Sequence, residues 1–351
     1  MATLSTVFSN LADIIRDKTG LSESMNAYEI LSHCQNDFDP YLCIEPKEYF
    51  RSNIQSYNGS EKFILNDAFY RCSYLTSVSF PSCTIIGDDA FAYCFSLSNA
   101  YFPECSYIGE EAFCYCSCLQ NVNLKNCSYI NKNQFLFCGL LSYSNSACTY
   151  VDNGGFQSCG SISTVNLPNC TYINQNAFRG CYSLSSIYLP ICESIGNYAF
   201  YGCTSLSSIS FSKCKYIGLY AFAGCTSLAS MNFSECINIG NSAFMNCTSL
   251  IYVTFSNCIN IGNYAFRSCA GLRTGYFEVC ESIGASAFYS CQLLSSIYLN
   301  KVQKVTTLAS PYAFYNCSAN LKIYVPSSLY SDFQAATNWS VSSIKSRIMS
   351  I

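Results

Sequence analysis

Cysteine is the residue type in this chain with the greatest capacity for chemistry. There are 26 cysteines among 351 residues, and most of them recur at a fixed spacing. Cysteines this frequent point to disulfides, to bound metal or to buried thiols. One series lies three residues after a recurring phenylalanine, at Cys72, Cys94, Cys116, Cys138, Cys159, Cys181, Cys203, Cys225, Cys247, Cys269, Cys291 and Cys317. A second series lies between them, at Cys83, Cys105, Cys127, Cys148, Cys170, Cys192, Cys214, Cys236, Cys258 and Cys280.

The spacing favours buried thiols that pack as small apolar side chains. If cysteines of one series lie one above another, their Cα atoms are about 5 Å apart. Parallel Cα–Cβ bonds then hold the Cβ atoms farther apart than the roughly 3.5–4.5 Å of a disulfide. Metal binding has little support, because the chain has no CxxC pair and His33 is its one histidine. Cys114-Tyr-Cys116-Ser-Cys118 departs from the spacing; surface substitutions around a series cysteine are favoured there over a metal or redox site.

Other catalytic chemistry is weakly represented. A serine or cysteine nucleophile would have to use His33, for which a surface position in an N-terminal helix is the favoured interpretation. The paired carboxylates Asp88-Asp89 and Glu110-Glu111 are interpreted as turn residues rather than a glycosidase pair. No phosphate-binding loop, dinucleotide fingerprint or calcium loop occurs in the sequence. We therefore expect no enzymatic activity, no cofactor and no metal.

The charge composition narrows the classes of partner. Charged residues make up 11% of the chain and the formal net charge is −3, which argues against a nucleic-acid binder with its clustered basic residues. Half of the residues are apolar, so disorder is not expected. No apolar run reaches the ~18 residues of a membrane span, and we expect no membrane insertion. The opening residues 1–20 lack the pattern of a secretory signal.

The elements that position the cysteines follow from the phenylalanines. These recur about every 22 residues, mostly after alanine, and a repeat of this period indicates a solenoid. Alternation of Ile209 and Phe211 around Ser210 predicts a short β-strand. The stretch 195–203 predicts one helical or 3-10 turn. We predict a right-handed superhelix of about twelve 22-residue coils, each with one short parallel β-strand plus helical or 3-10 turns.

The repeat has a known relative. The segment 189–206, LPICESIGNYAFYGCTSL, resembles the BspA-like leucine-rich repeats of bacterial and protist surface proteins. The resemblance covers about residues 60–326 and implies a leucine-rich-repeat solenoid. Residues 323–330 followed by Asn338-Trp339 resemble a closing segment of such proteins. Residues 11–20 are similar to an N-terminal segment of relatives from gut Firmicutes and their prophages.

The domain organisation is predicted from the same pattern. Residues 1–47 are expected to form a helical N-terminal cap, and residues 48–326 the solenoid, with a degenerate first coil. Residues 327–351, which contain the chain's one tryptophan, are expected to form a C-terminal cap. Two coils are irregular: residues 135–151 lack the apolar strand residues, and residues 302–311 carry four extra residues.

The outward strand positions are the predicted binding surface. One outward column is predicted at Ser79, Tyr101, Asn123, Asn145, Asn166, Tyr188, Ser210, Asn232, Thr254, Tyr276, Tyr298 and Tyr324, and an adjoining column includes Tyr143, Tyr252 and Lys322. The neutral mixture of Tyr, Asn, Ser and Thr is typical of an antibody paratope. The alternative is that Tyr and Thr simply favour strands. The predicted ligand-binding residues are Tyr101, Tyr188, Tyr252, Tyr276, Tyr298, Tyr324, Asn166 and Asn232, with the strongest cluster at Tyr252, Tyr276, Tyr298 and Tyr324.

These observations predict a non-enzymatic recognition or adhesion protein. It would bind a protein or glycan, such as a host or matrix molecule, through the strand face. The resemblance implies a surface-associated role, so a cell-surface or extracellular location is expected, with a virion-associated or cytoplasmic one as the alternative. The second hypothesis is a phage- or prophage-encoded tail or host-recognition component. An enzyme is the third and least supported class.

Overall fold

The computed structural model describes residues 43–44 and 54–351. The predicted helical cap at 1–47, with His33, therefore lies outside the described residues apart from one two-residue strand. The chain forms two compact units, Met1–Gly139 and Leu140–Ile351. In both units the chain winds in coils of about 22 residues whose strands pair in parallel, so the predicted solenoid is confirmed.

The first unit contains two series of short strands. The three-residue strands are β2 (Ser56–Asn58), β4 (Ser77–Ser79), β6 (Asn99–Tyr101) and β8 (Asn121–Asn123). The two-residue strands are β1 (Cys43–Ile44), β3 (Phe63–Ile64), β5 (Ile85–Ile86), β7 (Tyr107–Ile108) and β9 (Tyr129–Ile130). Strands β2-β4-β6-β8 form one parallel sheet and β1-β3-β5-β7 another. Each coil thus places its backbone in two ladders.

The second unit repeats this arrangement. Its longer strands are β10 (Ser142–Ser144), β12 (Thr164–Asn166), β14 (Ser186–Tyr188), β16 (Ser208–Ser210), β18 (Ser230–Asn232), β20 (Tyr252–Thr254), β22 (Thr274–Tyr276), β24 (Ser296–Tyr298), β26 (Lys322–Val325) and β27 (Ile348–Ser350). Its two-residue strands are β11 (Tyr150–Val151), β13 (Tyr172–Ile173), β15 (Ser194–Ile195), β17 (Tyr216–Ile217), β19 (Asn238–Ile239), β21 (Asn260–Ile261), β23 (Ser282–Ile283) and β25 (Thr307–Leu308). The two-residue strands lie in one sheet, in the order β11 to β25. The longer ones form the ladders β10-β12-β14, β16-β18 and β20-β22-β24-β26-β27.

The second strand of each coil was not predicted from the sequence. Its inward residue is the isoleucine of the Ile-Gly motif, such as Ile217, which pairs with Ile195 on one side and Ile239 on the other. Two residues are too few to show an alternation of apolar and polar positions. The strand exists because stacked coils also bring their backbones within hydrogen-bonding distance at this position.

The Ala-Phe segment is a run of tight turns rather than a helix. Within one coil, Cys203 N–H donates to the Phe200 carbonyl at 3.1 Å, a bond of the predicted 3-10 type. Phe200 N–H instead donates to Ala221 of the next coil at 2.7 Å. Tyr198 adopts a left-handed φ of 57°, which interrupts any helix. The segment therefore turns the chain while adding hydrogen bonds between coils.

The core is a column of stacked phenylalanines. In the second unit, the ring centroids of Phe178 and Phe200 lie 5.2 Å apart, and those of Phe200 and Phe222 lie 5.0 Å apart. In the first unit, Phe69 and Phe91 stack at 5.0 Å. These side chains are fully buried, and each ring covers its counterpart in the next coil.

The cysteines of the first series donate hydrogen bonds to the backbone carbonyls of the stacked phenylalanines. Cys203 Sγ donates to the Phe178 carbonyl and Cys225 Sγ to the Phe200 carbonyl, both at 3.2 Å. Both cysteines are free thiols. Burial raises the pKa of the Cys203 thiol well above its ordinary value, so the sulfur keeps the proton that it donates. The buried-thiol interpretation holds for these residues, and the thiol has a hydrogen-bonding role in addition to its packing.

The coil that begins the second unit has a register different from the one expected. Tyr143 pairs with Val165 and is buried, and Asn145 is buried as well. The prediction that both face outward is therefore wrong. The residue missing from this repeat falls immediately after Cys138, so every later position shifts by one. Ser144, which pairs with Asn166, takes the outward position.

Three of the four extra residues near the C-terminus lie ahead of β25, because Ile283 pairs with Leu308, which follows it by 25 residues. The fourth lies between Leu308 and Phe314. The first three form a bulge between Leu299 and β25 that does not break the ladder, and Thr306 beside it is buried and donates its Oγ1 hydrogen to the Cys280 carbonyl at 2.7 Å. Lys301 and Lys304 in the bulge pair with Glu278 and Glu281 of the preceding coil, both at 2.8 Å.

Residues 327–351 follow the last coil. A 3-10 helix (Ser327–Leu329) leads into α1 (Tyr330–Ala335), and α2 (Ser342–Lys345) precedes β27. Trp339 is fully buried, stands edge-on to Phe333 and donates Nε1–H to the Thr306 carbonyl at 2.7 Å. These contacts agree with a cap, which remains a prediction. No helix within residues 54–351 has the length and apolar composition needed to cross a membrane.

The paired carboxylates lie in the turns, as interpreted from the sequence. Asp88 Oδ1 accepts a hydrogen bond from the Glu110 N–H at 2.8 Å. Glu110 also pairs with Lys132 at 3.2 Å. Burial, reinforced by the charges of Glu111 and its neighbours, raises the pKa of Asp89 to about 6. Asp89 therefore resists ionisation in the folded first unit.

A thiol-labelling experiment tests the buried-thiol ladders. In the native protein without reductant, iodoacetamide at pH 7.5 should modify Cys118, which is exposed, and leave Cys203, Cys225 and Cys247 largely unreacted, because burial raises the pKa of these thiols and excludes the reagent. After denaturation all four should react, as measured by peptide mass spectrometry. Rapid native labelling of the buried three, or their failure to react when denatured, would contradict the assignment.

A second prediction concerns the pH dependence of the first unit. A carboxyl whose pKa is raised by folding opposes folding once it ionises. The contribution of Asp89 to the free energy of unfolding therefore falls as the pH rises through about 6. We expect Asp89→Asn to raise the unfolding midpoint of the full chain at pH 7.5, and this gain to shrink at pH 4.5. Chemical denaturation at both pH values measures it. The exposed Asp332→Asn serves as control, and an equal gain at both pH values would count against the interpretation.

Candidate functional site

Three of the predicted tyrosines form one continuous row. Register places Tyr276 beside Tyr298 and Tyr298 beside Tyr324 on β22, β24 and β26. Both pairs of ring centroids are 4.7 Å apart and nearly parallel. Tyr276 is 37% exposed, and the other two rings are half-buried. This surface, Tyr276, Tyr298 and Tyr324, is called the tyrosine row below.

Tyr252 does not join the stack. It is 50% exposed, but its register partner is Thr274, whereas Thr254 is the partner of Tyr276. Because successive residues of a strand point in opposite directions, Tyr252 and Thr254 share a face but lie two positions apart. Tyr252 therefore flanks the tyrosine row from the adjoining column, in which Lys322 also lies.

The remaining predicted residues lie on other ladders of the same type. Tyr188 is 57% exposed and pairs with Asn166, which is also exposed. Asn232 is exposed and pairs with Ser210. Tyr101, in the first unit, pairs with Ser79 and is 47% exposed. The structure thus brings three of the eight residues into ring contact and pairs two others.

The tyrosine row is held from beneath by the core. Between its outward residues lie the inward residues Gly275, Ile297 and Ile323, which are buried and also pair in register. A Cβ on Gly275 would lie 2.7 Å from the Phe277 ring, so this position is tightly packed. A rigid ladder therefore fixes the height and tilt of the tyrosine rings.

The alternative chemical sites do not assemble in the described residues. Cys114 is buried, so its interpretation as a surface substitution is wrong. Burial, followed by the charge of Glu111, raises its pKa to about 12. Cys116 donates to the Phe91 carbonyl at 3.1 Å as a member of the first series. Cys118 is exposed. Within residues 43–44 and 54–351, no group of three His, Cys, Asp or Glu side chains is arranged to hold a metal.

A groove that the sequence analysis did not single out runs along the two-residue strands of the second unit. It is open to solvent and has a volume of about 650 Å³. Its floor is the glycine of the Ile-Gly motif in five successive coils, Gly196, Gly218, Gly240, Gly262 and Gly284. This surface is called the glycine groove below. The signal for this groove in the sequence is the recurrence of Ile-Gly, which by itself indicates only a turn.

The family model described as BspA type leucine-rich repeat region, with six copies, matches residues 44–159, 149–273 and 276–350. No curated protein matches the chain.

Several solved structures are similar over most of the chain, two of them leucine-rich repeat proteins. The first of these, from Bacteroides ovatus, is 22% identical, covers 84% of this chain and 92% of that chain, and has a TM-score of 0.48. One from Eubacterium ventriosum is 18% identical, covers 79% and 88%, and has a TM-score of 0.49. The pneumococcal vaccine antigen PcpA is 16% identical, covers 88% and 81%, and also has a TM-score of 0.49. On the extent of the family match, the chain belongs to the BspA-type leucine-rich repeat family.

Proposed function

We propose that the chain is a non-enzymatic recognition or adhesion protein that binds a protein or glycan through the outward face of its longer strands. The observation that carries the proposal is the tyrosine row. Its three rings stack at 4.7 Å and remain partly exposed on one rigid ladder. Large amphipathic rings held in fixed positions are the groups that contribute most to binding at protein interfaces.

The row is suited to binding because its rings are already ordered. A flexible side chain loses rotamer freedom when a ligand immobilises it, at a cost of roughly 0.5–1.5 kcal/mol. Stacking on both sides has already restricted Tyr298 before any ligand arrives. Each hydroxyl stays available to donate or accept at the edge of the stack. Tyrosine surrounded by Ser, Thr and Asn is the composition of antibody paratopes, which favours a protein ligand over a glycan.

The other predicted residues extend the proposed surface on their own ladders. Tyr252 and Lys322 flank the row on one side. Tyr188 with Asn166, and Asn232 with Ser210, offer further exposed polar and aromatic groups in the second unit. Tyr101 does so in the first unit. We propose these as secondary contacts whose individual contributions are smaller than those of the stacked rings.

The location and partner are proposed from the family. BspA-type leucine-rich repeats are typical of surface and adhesion proteins, which supports a surface-associated role and a host or matrix ligand. The solenoid serves generally as a scaffold for binding rather than for catalysis. The division into an N-terminal cap at 1–47, a solenoid at 48–326 and a C-terminal cap at 327–351 is part of the same proposal.

The test is a ligand screen followed by a triple substitution. Purified full-length protein is screened against arrays of host and matrix proteins and of glycans. Tyr276→Ser, Tyr298→Ser and Tyr324→Ser are then combined, because Ser79 and Ser210 occupy the equivalent outward position in other coils and show that serine is tolerated there. We expect the affinity for the strongest ligand to fall at least tenfold, measured by surface plasmon resonance.

The matched control is a pair of tyrosines away from the strand face. Tyr182→Ser and Tyr312→Ser remove rings that are 60% and 59% exposed in the turn segments, and this variant should bind normally. Circular dichroism establishes that both variants are folded. Unchanged binding by the folded triple variant would show that the tyrosine row is not the site.

A further inference from the structure

We propose that the glycine groove is a second binding site, which accepts a neutral oligosaccharide. It lies on the ladder of two-residue strands, whereas the tyrosine row lies on the ladder of longer strands. The inference therefore does not depend on the proposed function. It rests on the shape of the groove, the hydrogen-bonding groups of its two walls and the absence of charge among its lining residues.

The floor of the groove is open because the coils approach too closely for any side chain there. A Cβ on Gly218 would lie 2.6 Å from the Asn197 nitrogen, and one on Gly240 would lie 2.6 Å from the Gly218 carbonyl carbon. At Gly218 and Gly240 the spacing of the coils thus leaves no room for a side chain. The consequence is a trough with no side chain along its base, bounded by the residues on either side of the glycine.

The run of glycines is interrupted at both ends of the trough by residues with a side chain. In the coil before Gly196, the position of the glycine is occupied by Asn174, whose Nδ2 donates to Asp152 Oδ1 at 2.7 Å. Ala309 stands at the same position after Gly284. The open floor therefore spans five coils, or about 19 Å at a strand spacing of roughly 4.8 Å. One coil is close in length to one pyranose unit of an extended glycan, so successive sugars would meet successive coils.

One wall carries a chain of hydrogen bonds. Ser282 Oγ donates to Asn260 Oδ1 at 2.8 Å, and Asn260 Nδ2 donates to Asn238 Oδ1 at 2.7 Å. These contacts fix the orientation of both amides before a ligand binds. Polar groups held in place by neighbours bind with a smaller loss of entropy than mobile ones.

The same wall ends in two exposed aromatic rings. Tyr216 is 51% exposed and Tyr172 is 38% exposed, and Tyr172 stacks on Tyr150 at 5.3 Å. Ser194 separates the two rings along the wall and leaves a gap between them. An exposed ring next to fixed amides suits a sugar, which offers hydroxyls at its edge and an apolar C–H face.

The opposite wall presents amide donors. Asn197 Oδ1 accepts the Leu219 N–H at 2.8 Å, Asn241 Oδ1 accepts the Asn263 N–H at 2.8 Å, and Asn263 Oδ1 accepts the Ala285 N–H at 2.7 Å. Because each oxygen is engaged with the next coil, each Nδ2 group is directed away from that bond. The wall therefore offers a row of N–H donors to hydroxyl or carbonyl oxygens of a ligand.

The lining determines the charge of the ligand. Among the described residues of the second unit that line the groove, none is Lys, Arg, Asp or Glu. A carboxylate or sulfate would lose hydration there without gaining a counter-ion, which disfavours anionic glycans. A peptide binding as an added strand is disfavoured as well, because β15 to β23 are already paired on both sides and present no free edge.

The experiment uses the full chain on an array of neutral and anionic glycans, followed by calorimetry with the best neutral tetrasaccharide. Two groove variants borrow residues that occur naturally in the same columns: Tyr216→Ser, as at Ser194 and Ser282, and Asn241→Ala, as at Ala285. We expect each to weaken binding at least tenfold. The control is Tyr312→Ser, which removes a ring that is 59% exposed in a turn segment and should leave tetrasaccharide binding unchanged. Tyr276→Ser is measured as well, to test whether the tetrasaccharide binds at the tyrosine row instead.

Several results would overturn the proposal. One is that no neutral glycan on the array binds the protein. Another is that anionic glycans bind as strongly as neutral ones. A third is that both groove variants, when folded, still bind the tetrasaccharide with unchanged affinity. Tetrasaccharide binding that falls with Tyr276→Ser and not with the groove variants would also overturn it, while it would support the proposed function of the strand face.

Discussion

The parallel pairing of each coil with the next, at a register of about 22 residues, is the constraint on which the structure depends. It acts within the ladders of both strand series and again in the turns, where Phe200 N–H donates to Ala221 at 2.7 Å and Phe222 N–H donates to Ala243 at 2.7 Å. Residues of these elements are thereby held beside their counterparts one repeat away. A coil of this length has no core of its own, so its stability comes from its neighbours.

The repetition of residue types follows from that constraint. Stacked phenylalanines fill the centre, and a small residue able to donate a hydrogen bond must accompany each one, because a larger side chain would separate the coils. Cysteine meets both needs: Cys203 is fully buried and donates to the Phe178 carbonyl. Glycine follows the isoleucine for a related reason, since the coils meet there backbone to backbone. Both surfaces proposed to bind ligands arise from this packing. In the tyrosine row, equivalent tyrosines of successive coils stack on one another. In the glycine groove, equivalent glycines of successive coils leave a surface without side chains.

The sequence predicted the solenoid and most outward positions because their signal repeats many times. It did not predict features that depend on a single coil or on two residues. The second strand, as at Tyr216–Ile217, is too short to alternate. The register of Tyr143 depended on where one residue was missing from the repeat, which the spacing alone does not show. Tyr252 lies outside the tyrosine row because it is two positions along its strand from the residue that pairs with Tyr276. Only the register of the ladder shows which tyrosine rings stack and which merely lie nearby. The glycine groove forms because its glycines have no side chains. A search of the sequence for motifs of reactive residues does not indicate such a surface.

The measurement that tests the central claim most directly is amide hydrogen exchange of the native full chain. If inter-coil pairing holds the fold together, the amides of Phe200, Phe222 and Phe244, which donate to the next coil at 2.7–2.8 Å, should exchange together and only through large-scale unfolding. Exchange of these three amides within seconds, as in an unstructured chain, would contradict the account.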